Sequence, residues 1–177
     1  MRNFVFFIAI ALLFSGCFKK EISCSDATVK DLVHELSQDQ AIDTIALKQL
    51  ENNKSAAPIM LLIGMSCPKA NSLKECFKNL ELVDAISSSK ESLVAKLKKS
   101  LRYDEVAQKV KNAPFSLEDI LTQSKDKELQ KVQCKAIATY TVDNKPYRYD
   151  VEYDAQYTDD GKKVYVELKN IALRESE

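Results

Sequence analysis

Glycine is nearly absent: the 177-residue chain has three, one of them Gly16 within an apolar leader, so neither a phosphate-cradling loop nor a dinucleotide-binding fingerprint can be built. A single histidine, His34, excludes a multi-histidine metal site. No Cys-x-x-Cys occurs, so thioredoxin-type exchange has no dithiol to run on. Net charge is also lacking, with 26 basic against 26 acidic side chains, which excludes nucleic-acid binding by bulk electrostatics. What is present is ample apolar material, 45% of residues against 29% charged, enough for one folded domain.

The amino terminus reads as an export signal. Arg2 gives a positive start, Phe4 to Phe14 are apolar without interruption, and Ser15 and Gly16 are small residues just before Cys17. The run is shorter than the roughly 20 residues a bilayer-spanning helix needs, and Lys19, Lys20 and Glu21 follow at once. Phe14-Ser15-Gly16-Cys17 resembles the lipobox of bacterial lipoproteins, with phenylalanine where leucine is commonest. The resemblance implies removal of residues 1–16, lipidation of Cys17 through its sulfur and new amino terminus, and a tether over 17–24. Phe18 in place of aspartate implies sorting to the outer membrane, with the domain in the periplasm.

Setting Cys17 aside leaves Cys24, Cys67, Cys76 and Cys134, an even number in a chain bound for an oxidising compartment. Three pairings are possible; proximity favours Cys67 with Cys76 as a local clip and Cys24 with Cys134 as a long-range tie.

The remainder, 25–177, reads as one α+β domain, helical over 25–112 and strand-rich over 115–172. Ser25 or Asp26 can cap a helix with Val29, Leu32, Val33 and Leu36 on its apolar face, and Ile42, Ile45, Ala46 and Leu50 continue the pattern to about Asn52. His34 sits in this helix, where a solvated or partly packed histidine explains it better than service as a catalytic base. Asn52 to Ser55 form a loop. Ala56 to Met65 are apolar all round, which favours a buried core segment over an exposed patch, since patches of that length are rare on soluble domains. Leu93, Val94, Leu97 and Leu101 mark a further helix beginning near Ser89. From Lys90 to Lys111 the chain is locally basic, a solvated surface or a contact for anionic head groups or an acidic partner.

After Pro114 the period becomes two. Val132, Cys134, Ala136, Ala138, Tyr140 and Val142 share one strand face; Tyr147, Tyr149, Val151, Tyr153, Ala155 and Tyr157 share another. Asp143-Asn144 and Asp159-Asp160-Gly161 read as hairpin turns, and Val164, Val166 and Leu168 as the core side of a last strand. With Phe115 to Leu121 as a first strand, N-terminal helices should cover one face of an antiparallel meander of three or four strands, stapled by disulfides. This order, the Cys24-Ser25-Asp26 helix opening and the late strand cysteine before a tyrosine-rich hairpin are similar to small bacterial lipoproteins with cystatin-like or NTF2-like modules, over residues 24–40 and 130–170. The likeness implies a helix-on-sheet fold and no fixed activity.

Asp150, Glu152 and Asp154 share a strand face, as a carboxylate pair or a calcium site requires, but amphipathic alternation with cross-strand lysines such as Lys135 and Lys169 accounts for them. No catalytic residue, metal or cofactor is assigned. The expected function is non-enzymatic: a lipid-anchored envelope protein whose partners are the membrane and an envelope protein. Two alternatives stay open: an inhibitor or immunity-type protein using the Cys67 to Cys76 loop as a plug, and a small-ligand carrier with a pocket between sheet and helices.

Overall fold

The computed structural model describes residues 21–51, 56–67, 70, 72–84 and 92–174. The leader, Cys17, the Asn52 to Ser55 loop, Pro68 and the serines at 87–89 lie outside them. Within the described residues five helices precede four strands: α1 (Ala27–Glu51), α2 (Ala56–Ser66), α3 (Leu73–Asp84), α4 (Leu93–Leu101), α5 (Tyr103–Lys111), β1 (Phe115–Asp126), β2 (Lys131–Val142), β3 (Lys145–Tyr157) and β4 (Val164–Leu173). The strands form one antiparallel sheet in the order β1-β2-β3-β4. The architecture is the α+β meander expected from the change of period.

The β2–β3 hairpin follows from its turn. Asp143 and Asn144 both have positive φ, 51° and 62°, as a two-residue loop requires to match the strand twist. This register sets Tyr140 opposite Tyr147, Ala138 opposite Tyr149 and Cys134 opposite Tyr153. At the next hairpin Gly161 takes φ 67°, which its missing Cβ makes easy. Strand β1 runs five residues beyond Leu121, through irregularities between Glu118 and Leu121 and between Thr122 and Ser124.

The core lies between the sheet and α1 and continues into α3, α4 and α5. Three tyrosines cross it and hand their hydroxyl protons to oxygens of the α1 segment: Tyr153 to the Cys24 carbonyl at 2.9 Å, Tyr140 to the His34 carbonyl at 3.0 Å and Tyr149 to the Ala41 carbonyl at 3.5 Å. Tyr140 also meets Ser37 Oγ at 2.7 Å, which explains a buried serine on the apolar stripe of α1. Burial pushes the Tyr140 and Tyr153 phenols up to about 12. These aromatics serve the core, and their polar tips fix α1 along the sheet.

Both disulfides pair as proximity suggested: Cys24 with Cys134, and Cys67 with Cys76. The first joins the start of α1 to β2; the second joins the end of α2 to α3. The domain begins earlier than a free tether to residue 24 would allow. Ile22 is buried and Glu21 pairs with Lys125 at 2.5 Å, so residues 21–24 belong to the folded domain.

The basic stretch forms two helices, not one. Arg102 adopts a left-handed conformation at φ 51° between α4 and α5, and Ser92, not Ser89, caps α4 by accepting the Ala95 N–H. Lys98 pairs with Glu81, Arg102 with Glu105, and Lys109 with both Glu105 and Asp143. The break therefore divides the basic residues between two helices and salt links.

Candidate functional site

The sheet face opposite the helices carries the three strand carboxylates, each matched to a cation. Asp150 accepts from Arg174 at 2.7 Å, Glu152 from Lys135 at 2.8 Å, and Asp154 from Lys131 at 2.7 Å with Lys169 at 3.7 Å. This ladder is the cross-strand balance that alternation and lysine placement suggested. Among the described residues no group of three or more histidine, cysteine, aspartate or glutamate side chains is arranged to hold a metal ion.

His34 stacks on Phe115, ring centroids 4.2 Å apart and 13° from parallel, and meets the Gln38 amide at 3.2 Å. Burial lowers its pKa. All four described cysteines are in disulfides, so none of them offers it a thiol.

Asp43 is the one deeply buried carboxylate of α1, 4% exposed. It accepts the Leu73 N–H at 2.7 Å, helping to cap α3, and the Tyr103 hydroxyl at 3.1 Å. Burial raises its pKa to about 6 despite both bonds, and the nearby Asp39 adds to the rise. Tyr103 is pushed up by the same burial and by the Asp43 charge. The group joins α1, α3 and α5.

An open cleft of about 1050 Å³ lies at the end of the domain where α1 begins. It is framed by the start of α1 (Asp26, Thr28, Leu32), Leu129 in the β1–β2 turn, and the β3–β4 hairpin with Lys162. It lies over turns, outside the sheet–helix core where a carrier's pocket was anticipated, and its rim mixes charges of both signs.

Helix α2 departs most from expectation. The apolar tract reads as a core element, yet Leu61 is 65% exposed and Met65 73%, with Met60 and Leu62 over a third exposed. Ile59 and Ile63, one turn apart, turn toward the core as a narrow stripe. Alternation of polar and apolar residues would have revealed a buried face; α2 has no such contrast, because no charged residue occurs from Ala56 to Cys67. Composition alone cannot orient it. The Cys67–Cys76 clip then holds its end against α3. Among the described residues no helix is long and apolar enough to cross a membrane.

No family model, curated protein or solved structure matches the chain.

Proposed function

We propose that this chain is a lipid-anchored protein of the bacterial envelope that works by binding an envelope component through α2, not by catalysis. The observation that carries the reading is the exposed apolar helix, held in place by the Cys67–Cys76 disulfide at its end. The largest apolar patch on a folded domain, typically a few hundred Å², is often its functional surface. The ionisable groups that first suggest chemistry have structural duties: Asp150, Glu152 and Asp154 are ion-paired, His34 is stacked, and Asp43 holds α3. The lipobox-like Phe14 to Cys17 supplies the anchor, and the short stretch before Glu21 keeps the domain near the membrane that bears it.

Two measurements test the reading. Radiolabelled palmitate should enter the wild-type protein and not the Cys17→Ser variant; equal labelling, or none, refutes the anchor. A photoreactive residue at position 61 should give adducts in intact envelopes while one at Tyr165, exposed on the other face of the sheet, should not. Absence of adducts at 61 refutes α2 as the binding surface.

A further inference from the structure

The exposure pattern of α2 narrows what covers it. At 3.6 residues per turn, the exposed positions 57, 58, 60, 61, 62, 64 and 65 sweep an arc of ~200°, and among the described side chains of α2 the stripe of Ile59, Ile63 and Ser66 turns inward. A single facing helix covers a stripe of ~100°. The exposed arc of an 11-residue helix amounts to roughly 300 Å², well below the ~800 Å² each partner contributes to a standard stable interface. A second copy pairing through α2 would thus leave apolar surface wet and bury too little. A hydrocarbon phase covers the whole arc at once and asks for no hydrogen-bonding partner, and the exposed side chains of Pro58, Met60, Leu61, Leu62 and Met65 offer none.

Position agrees. From Cys17 to Glu21 the chain reaches at most ~14 Å, so a lipidated domain stays against its bilayer. The 25-residue α1 spans ~37 Å, with the anchor entering at its start and α2 following its end. Such a domain brings α2 to the same surface when α1 lies along the membrane plane.

We infer that α2 is a second membrane contact, lying in the head-group and acyl-chain boundary of the bilayer that holds the lipidated amino terminus. This rests on the anchoring reading above. A lipid at Cys17 alone leaves the domain free to swivel; α2 fixes its orientation and presents the ion-paired sheet face and the cleft at the start of α1 in a set direction. The site depends on the Cys67–Cys76 clip, which keeps α2 against α3.

The chain contains no tryptophan, so a single introduced one reports on its own surroundings. The full lipidated protein carrying Leu61→Trp, and separately Tyr165→Trp, is reconstituted in vesicles of phosphatidylethanolamine and phosphatidylglycerol with or without bromine on the acyl chains. Position 61 should show blue-shifted emission quenched about twofold or more by brominated lipid, and position 165 neither, because an interfacial helix sits at acyl-chain depth. Unquenched emission at 61 in vesicle-bound protein overturns the inference. Blue-shifted but unquenched emission overturns it too, in favour of a protein covering α2.

Flotation of wild type and Cys17→Ser separates this outcome from failure of the anchor. If only wild type floats, the anchor holds and quenching alone decides α2. If the two float equally, the anchor reading falls while quenching at 61 still upholds α2. If neither floats, both readings fall.

Discussion

Replacing Asp43 by asparagine should stabilise the protein at alkaline pH and do little in mild acid. The carboxylate is 4% exposed and accepts from the Leu73 N–H and the Tyr103 hydroxyl, yet its pKa rises from 3.8 to about 6 because burial outweighs those bonds. A folded-state pKa above the unfolded value means that the fold binds the proton more tightly than the unfolded chain does. Stability therefore increases as pH falls through 6 toward 3.8, and the ionised group costs up to ~3 kcal/mol above pH 7. Asparagine keeps an acceptor for Leu73, can donate its amide to the Tyr103 oxygen, and never ionises. Urea unfolding followed by circular dichroism from pH 4 to pH 8 should show Asp43→Asn ahead by up to ~3 kcal/mol at pH 8, with the gap closing toward pH 4. Asp43→Ala should instead lose ~1–3 kcal/mol at acid pH, because the Leu73 donor and the Tyr103 hydroxyl are left buried without their partner. A constant gap between Asp43→Asn and wild type across the range would refute the reasoning.

Three further outcomes follow from the fold. Removing the Cys24–Cys134 tie, which closes a separation of 110 residues, should cost roughly 4–5 kcal/mol in the loop-entropy model, read as a lower urea midpoint. Removing the Cys67–Cys76 clip, separation 9, should cost roughly 2–3 kcal/mol and speed hydrogen exchange in α2 more than in the sheet. Tyr140→Phe deletes the hydroxyl shared by Ser37 and the His34 carbonyl and should cost ~1–2 kcal/mol, without changing the far-ultraviolet spectrum.

How much of this was legible in the sequence varies with the contrast each segment carries. Strands β2 and β3 alternate cleanly from Val132 to Tyr157 and have one buried face, so the period and the Asp143-Asn144 turn could be read directly. Strand β1 was seen only to Leu121 because every side chain from Leu121 to Asp126 is exposed at the sheet edge, where burial imposes no alternation. The break between α4 and α5 carries no glycine or proline; the left-handed residue is Arg102, and no local signal predicts it. Leu36 was placed on the apolar face of α1 but is half exposed, because the buried stripe passes instead through Ser37, whose hydroxyl meets Tyr140. The disulfides followed from even number and proximity. Asp43 was not anticipated, since a carboxylate between apolar residues of a helix looks solvated until α3 and α5 close over it. Helix α2 was misread for the opposite reason: uniform apolarity says a segment leaves water, but not whether it meets its own core or something else.

The most direct test of that point is the double variant Leu61→Asp with Met65→Asp in the full protein, compared with wild type by thermal melting and by binding of a fluorescent apolar dye at low temperature. Because both side chains are exposed, the melting midpoint should stay within the shift that ~0.5 kcal/mol per surface substitution produces, while the native-state dye signal seen with wild type is lost. A melting midpoint lowered by the several kcal/mol that charges in a core would cost, or a wild-type protein that binds no dye when folded, would show that α2 is buried and contradict the account.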